Sequence, residues 1–318
     1  MRTPLCDLLG IEHPIVQAPM GGAAVPALAA AVSNAGALGM LALSWADDAG
    51  GAVRELRELT EHPFGANFGL QLDQHARLDG ALEAGLRIVS LFWGDPAPHV
   101  DRIHDAGALL LHTVGSAEEA KRAVAAGVDV VVAQGFEAGG HVWGQVGSLA
   151  LVPAVVDAVD PTPVIAAGGI GDARGVAAVF ALGAQAAWVG TRFLLAAEAP
   201  IHEHYRRRLL DADETDALWF ADLFDGGWPN APHRALRNAT VDAWEAAGRP
   251  PTGSRPGDGD QVATRSNGSG IPRYASGTPV EGMEGDIDAM SLWAGQSVAL
   301  ARAVEPAAAI VAELVSRL

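Results

Sequence analysis

The stretch Gly115-Ser-Ala-Glu-Glu119-Ala-Lys-Arg-Ala-Val124-Ala-Ala-Gly127-Val-Asp-Val-Val-Val-Ala-Gln134 holds one whole structural unit of this chain. Ser116-Ala-Glu-Glu119 has the spacing of a capping box, in which the serine and glutamate satisfy free peptide N–H groups at a helix start. It predicts a helix over Ala117–Ala126, with Gly127 supplying the left-handed residue that closes it. Val128–Gln134 then reads as a strand, and it is apolar at nearly every position. A strand apolar on both faces is covered on both, as in a parallel sheet flanked by helices.

Outward from this unit the same rhythm repeats. Strands are expected at Pro14–Ala18, Gly36–Leu41, Pro63–Gly69, Leu86–Phe92, Ala108–Val114, Val128–Gln134, Pro163–Ala167 and Ala184–Val189. Most start about 20–27 residues apart, room for a strand, a helix and two short loops. The interval from the sixth to the seventh is about 35 residues and contains a glycine-rich stretch. Asp172 is placed to cap a helix over Ala173–Leu182, which Gly183 ends. Eight such units predict an α/β fold, a (β/α)8 TIM barrel. An open doubly wound sheet is the alternative. No Gly-x-Gly-x-x-Gly follows the first strand, which counts against its dinucleotide-binding form.

After residue 200 the rhythm stops. Pro200–Glu245 reads as helices with charged faces, including Tyr205-Arg-Arg-Arg208 and Asp211–Asp216. Arg249–Asp286 is rich in Gly, Pro, Ser and Asp, so a long loop or part of a small subdomain is expected there. Ser291–Ala303 and Pro306–Leu318 read as helices. The expected organisation is a barrel over 1–200, an inserted, mostly helical lobe over 201–288 near the C-terminus, and helices over 289–318 that return to the barrel.

Composition narrows the function. Of 318 residues 49% are hydrophobic and 19% charged, which excludes wholesale disorder. The 21 basic against 38 acidic residues leave a net charge of −17, which repels phosphodiester backbones and argues against a nucleic-acid partner. Cys6 is the only cysteine and can build neither an internal disulfide nor a zinc cluster by itself. Lys121 is the only lysine, which disfavours Schiff-base chemistry and a P-loop. No apolar run reaches about 18 residues, so no membrane span is expected. The N-terminus lacks the apolar core of a signal peptide, which makes the cytoplasm the expected compartment. The oligomeric state is left open.

Barrel enzymes carry their chemistry on the loops after the strands. Those loops hold Gln17-Ala-Pro-Met20-Gly21-Gly22, Asn67, Gln134-Gly-Phe-Glu-Ala138-Gly139-Gly140-His141, Ala166-Ala-Gly168-Gly169-Ile170 and Gly190-Thr191-Arg192-Phe193. The last two fit a phosphate site, because glycine lets peptide N–H groups approach an anion closely. Ordinary punctuation between helix and strand is the plainer explanation, but two glycine sites at the two rim positions favour phosphate. Arg192 is placed either to reach that phosphate or on the surface. His141 titrates near neutrality and can serve as a general base, or can simply tie down its loop. Trp45, Trp93 and Trp143 are candidate pocket walls, and Trp188 a core residue. His112 is a candidate lining residue with a structural role preferred. His99 and His104 are expected on a surface helix, and Glu137 in a solvated loop. His202 and His204 lack the spacing of a zinc pair, and no Asp-x-Asp stands at a strand end, so no metal is expected.

These motifs resemble the nitronate monooxygenase family, formerly called 2-nitropropane dioxygenases. The matching pieces are Gln17-Ala-Pro-Met-Gly-Gly22, Pro63-Phe-Gly-Ala-Asn67, Gln134-Gly-Phe-Glu-Ala-Gly-Gly-His141, Ala166-Ala-Gly-Gly-Ile170 and Val189-Gly-Thr-Arg-Phe193, with Gly285–Asp288 through Gln296 as a further piece. They run in order over nearly the whole chain, and the Glu-Ala-Gly-Gly-His block is the specific one. The resemblance implies an FMN-binding barrel with an extra lobe over its mouth. It implies that Gly168, Gly169, Gly190 and Thr191 hold the FMN phosphate. Met20, Asn67 and Gln134 would contact the flavin or its ribityl chain, with Gly21, Ala138 and Gly139 assigned to the same cofactor site. His141 would face the substrate as the catalytic residue, either as a base toward a nitroalkane or as a cation steadying a nitronate. The implied activity is oxidation of nitronates or nitroalkanes by O2 to carbonyl compounds and nitrite, through a flavin reduced by the substrate. The alternative on the same scaffold is an NAD(P)H-dependent flavin reductase acting on a quinone or an enoyl thioester. Arg206–Arg208 are the exposed cations available to a nucleotide. Trp143, directly beyond the histidine block, is a bulky departure expected to narrow the pocket.

Overall fold

Each of the eight expected runs forms a strand in the computed structural model, which describes residues 1–318. The strands are β1 (Ile15–Gln17), β2 (Gly39–Ala42), β3 (Phe64–Gly69), β4 (Ile88–Phe92), β5 (Leu109–Val114) and β6 (Val130–Gln134), followed after the short β7 (Gly140–His141) by β8 (Val164–Ala167) and β9 (Ala186–Val189). Apart from β7 they pair in parallel, in the order β1-β9-β8-β6-β5-β4-β3-β2. The ring closes where Val16 bridges Leu38: Leu38 N–H donates to the Ile15 carbonyl and Gln17 N–H to the Leu38 carbonyl, each at 2.9 Å.

Two apolar layers explain the uninterrupted hydrophobic runs. Met40, Ile88, Leu111, Val130, Val132 and Ile165 fill the inside of the ring. Leu41, Val89, Leu110, Val131 and Val164, alternating with them, pack outward against the helices. The N-terminal helix Pro4–Leu9 joins the inner layer through Leu5, Cys6 and Leu9, so the lone cysteine is a buried packing residue. The unit that opened the sequence reading forms its helix and strand, but the box is half formed, since the Glu119 carboxylate accepts from Gly115 N–H and the Trp143 indole rather than closing back on Ser116. Ser116 accepts from Glu119 N–H at 3.2 Å, the helix runs Ala117–Ala126, and Gly127 has φ 108°. Asp172 caps Ala173–Ala181 by accepting from Arg174 and Gly175 N–H.

The lobe is mixed rather than dominated by helices. Helices Glu203–Asp211 and Ala239–Ala246 flank a hairpin of β10 (Ala217–Phe220) and β11 (His233–Leu236). The loop-like stretch after Arg249 carries a second small sheet of β12 (Gln261–Thr264), β13 (Gly270–Pro272) and β14 (Glu284–Gly285). Ser291–Ala303 is not an α-helix; it is irregular, with a short 3-10 segment at Gln296–Leu300, because Leu292, Ala294 and Val298 are spaced to fill the lobe core from an extended path. The final helix, Ala307–Leu314, does return to the barrel and buries Ile310, Val311 and Leu314 in its outer layer. No helix is long and apolar enough to cross a membrane.

Candidate active site

A cavity of about 590 Å³ lies between the C-terminal rim of the barrel and the lobe. All eleven residues singled out in the sequence line it: Met20, Gly21, Asn67, Gln134, Ala138, Gly139, His141, Gly168, Gly169, Gly190 and Thr191. Strand ends far apart in sequence converge here because a barrel gathers all its strand C-termini on one face. No Asp or Glu lines the cavity, and Arg265 is its one arginine, although the whole chain carries 38 acidic residues.

One wall is built to receive an anion. Gly168 and Gly169 have φ of 93° and 74°, a conformation side chains rarely adopt. The peptide N–H groups of Gly168, Gly169 and Gly190 donate to nothing in the protein. Gly168 and Gly190 are half-buried and Gly169 is exposed, so these N–H groups face the cavity free to meet an external acceptor. A Cβ on Gly168 would fall 2.8 Å from the Gly135 carbonyl. Arg192 takes no part in this wall and is not on the surface either: it is buried, donating to the Ala303 carbonyl and paired with Glu305.

His141 lines the same cavity, and the lobe builds its setting. β7 is the third strand of the β10–β11 sheet, with His141 opposite His233 and Gly140 opposite Arg234. Val142 N–H extends the pairing to the Pro232 carbonyl at 2.8 Å. The buried guanidinium of Arg234 donates to the carbonyls of Ala138 (3.1 Å), Ala217 (3.0 Å) and Phe136 (2.8 Å), and lies over the Phe136 ring. Gln134 holds the loop from the barrel side: its amide donates to the His141 carbonyl and accepts from Trp143 N–H. The glycine at 139 is required by packing, since a Cβ there would fall 2.3 Å from Gly295 N.

The His141 imidazole makes no hydrogen bond of its own, and Nε2 is buried without a partner. It stacks on Trp228 with ring centroids 3.8 Å apart and 27° between planes. Burial, with a lesser push from His233, lowers its pKa to about 3, so the ring is neutral at physiological pH. His233 is neutral too, held down at about 4 by burial, with one ring nitrogen on the Ala231 carbonyl and the other accepting from Phe224 N–H.

Other expected positions divide. Trp45 lines the cavity and is 51% exposed, while Trp188 is a buried residue on its inner wall. Trp93 and Trp143 are not among the lining residues and pack on each other, with centroids 4.8 Å apart, Trp93 also meeting His141 and Trp228; Glu119 fixes Trp143 through its indole N–H, so Trp143 does not narrow the cavity. Asn67 donates to the Ser90 carbonyl and hydroxyl. His112 is buried outside the cavity, and His99 is buried rather than on the surface. Glu137 is not a solvated loop residue: its carboxylate accepts from Ser148 N–H and Oγ, securing the start of helix Ser148–Val159. His202 caps helix Glu203–Asp211 and His204 pairs with Asp288. Arg206 donates to the Ala196 and Ala199 carbonyls and Arg208 pairs with Asp288, which leaves Arg207 as the exposed cation of that run. The sequence reading missed Trp228, Trp293 and Arg234. Gly226-Gly227-Trp228-Pro229 announces a turn, but nothing local places that turn on the histidine.

The family model described as nitronate monooxygenase matches residues 2–317. A nitronate monooxygenase of Paraburkholderia phytofirmans is 35% identical, with 98% of this chain and 94% of the relative covered. An indene-carboxyl-CoA dehydrogenase of Mycobacterium tuberculosis is 38% identical over 78% of this chain and 70% of its own. Among solved structures, FabK from Thermotoga maritima superposes with a TM-score of 0.81 at 31% identity, covering 99% of this chain and 96% of that one. A nitroalkane oxidase from Streptomyces ansochromogenes superposes with 0.77 at 31% identity, again over 99% of this chain and 97% of that one. With a barrel, a rim cavity and a matching sequence over its whole length, the chain belongs to the nitronate monooxygenase family of FMN-dependent barrel oxidoreductases.

Proposed function

We propose that this protein oxidises preformed nitronates with O2 to carbonyl compounds and nitrite, using FMN held in the rim cavity. The observation that carries the reading is the pairing, in one carboxylate-free cavity, of three unspent glycine N–H groups with a neutral imidazole that has no partner. Gly168, Gly169 and Gly190 would hold the cofactor phosphate through neutral donors. Met20, Gly21, Asn67, Ala138 and Gly139 would border the rest of it, and Gln134 and Thr191 would support it indirectly. Thr191 Oγ already accepts from Gly295 N–H at 3.0 Å and so pins the segment that backs Gly139. The flavin, when bound, supplies the electron acceptor and the chemistry with oxygen.

The residues of the chain bind, orient and exclude water. A neutral His141 can donate an N–H to a nitronate oxygen without a full charge having to be buried. As a base it is weak, because a ring held neutral down to about pH 3 gains little from accepting a proton near pH 7. That favours a substrate already deprotonated over the neutral nitroalkane. The absence of any carboxylate from the wall removes the repulsion an anionic substrate would otherwise meet.

The deciding experiment is an absorption spectrum of the purified protein followed by anaerobic mixing. Flavin bleached by a nitronate and untouched by NADH is the expected result. Bleaching by NADH alone would establish the reductase alternative, and a colourless protein that takes up no FMN would end both.

A further inference from the structure

We propose that Trp228 is the positioning residue of this site, a part of the lobe that covers one face of the His141 imidazole, keeps water off that face and orients the ring. The inference rests on the reading of His141 as the group that faces substrate. It goes beyond that reading in assigning the state of the histidine to one residue 87 positions along the chain, in a different structural unit.

Trp228 is fixed from the lobe side. Its own N–H donates to the Asp225 carbonyl at 3.0 Å. The Asp225 carboxylate accepts from Arg255 at 2.9 Å and from Thr252 at 2.7 Å, and Arg255 also donates to the Leu223 carbonyl at 2.8 Å. Arg255 is itself buried and stacked over Tyr274. The turn that carries the indole is therefore anchored on both sides of Asp225. The indole N–H is buried and donates to nothing, so the ring is placed by shape alone. It packs between His141, Trp93 at 5.1 Å and Trp45 at 5.4 Å.

Two effects of such a stack oppose each other. The π face of an indole attracts a cation and so favours imidazolium modestly. Excluding water from a ring with no anionic neighbour disfavours imidazolium more strongly. The neighbours decide for the second effect. His233 on β11 is the one titratable group that acts on His141, and it is neutral. Arg234, next on β11, turns its guanidinium to three carbonyls. Glu119 is taken up by Gly115 N–H and Trp143, and Asp225 by Arg255 and Thr252. No charged side chain of the protein is left to stabilise a proton on His141.

The test is an NMR titration of His141 in the protein as purified, with its bound flavin, for the native chain, Trp228→Leu and Trp228→Phe. The leucine variant is expected to titrate at least one pH unit higher, a tenfold gain in proton affinity. Phenylalanine, which keeps a smaller plane over the ring, should give a shift of the same sign and smaller size. The ratio of kcat/KM for a neutral nitroalkane to that for its nitronate should rise in the leucine variant, because the ring becomes a better base. A merely structural role would lower both substrates alike and leave the titration where it was. Unchanged titration in both variants overturns the proposal; if the leucine variant does not fold, an unshifted phenylalanine variant does so alone. The titration needs no turnover, so its outcome stands apart from whether nitronates prove to be the substrate.

Discussion

His141 and His233 face each other across the antiparallel pair that joins the barrel rim to the lobe, with ring centroids 6.0 Å apart. The pairing makes His141, the residue proposed to face the substrate, a strand residue of the lobe sheet. A two-residue strand cannot hold itself in place. The lobe therefore acts as the template for the loop that carries His141, with Arg234 and Trp228 as its two fasteners.

Replacing His141 by alanine should leave the yellow cofactor in place, because the proposed phosphate donors are the peptide N–H groups of Gly168, Gly169 and Gly190 and not this side chain. Turnover of a preformed nitronate should fall about tenfold, the worth of one hydrogen bond in a buried site. The residual turnover of a neutral nitroalkane should fall further, by roughly a hundredfold if the ring also takes the proton. Oxygen consumption with each substrate measures both. Equal rates in native and variant protein would remove His141 from the reaction.

Arg234→Met should cost about 3 kcal/mol in denaturant unfolding, since the carbonyls of Ala138, Ala217 and Phe136 lose their donor together. Arg234→Lys should not restore the loss, because an ammonium lacks the planar fork that reaches three acceptors. Both variants should also loosen the Ala138–His141 loop and raise the dissociation constant of FMN in a fluorescence titration.

Gly168→Ala should abolish cofactor retention. The new methyl would require a left-handed alanine and would approach the Gly135 carbonyl to 2.8 Å, so the peptide would have to turn away from the anion. The flavin-to-protein absorbance ratio after desalting reads this directly. Full occupancy in this variant would place the phosphate elsewhere.

Buried histidines set the acid side of the stability profile. His112 and His233 are depressed to about 4 and His141 to about 3, all chiefly by burial. Each binds a proton in the unfolded chain below about pH 6.5 but not in the folded one, so folding stability falls as pH falls. The contribution is complete above about pH 6.5 and is withdrawn down to about pH 4 for His112 and His233 and about pH 3 for His141, on the order of 3 kcal/mol for each residue. Tm should be level from pH 8 to 7 and drop steadily below 6.5. A Tm unchanged between pH 7 and 5 would mean that these rings are hydrated.

The barrel was legible because its signals are local. Ser116 and Gly127 bracket a helix by bonds that close within a few residues, and the apolar run after them can only be a covered strand. The glycine pair at 168 and 169 was legible for the same reason: a residue without a side chain marks a backbone that must turn left-handed. The rule that barrel strands end on one rim placed the strand-end loops at one cavity, and the family resemblance picked out from them the eleven residues that line it. The lobe was read less well, since short antiparallel strands such as Ala217–Phe220 and Gln261–Thr264 lack the length for a clear period.

What the sequence determined by itself is the ring of strands, the glycine wall and the presence of a histidine at the rim. Whether that histidine is charged, which way Arg192 turns and which tryptophan touches the site were decided only by tertiary structure. A proton's affinity for an imidazole depends on everything within a few ångströms of it. Around His141 those atoms belong to Trp228, His233 and Trp293, which lie about 90 to 150 residues along the chain and are brought there only when the lobe docks.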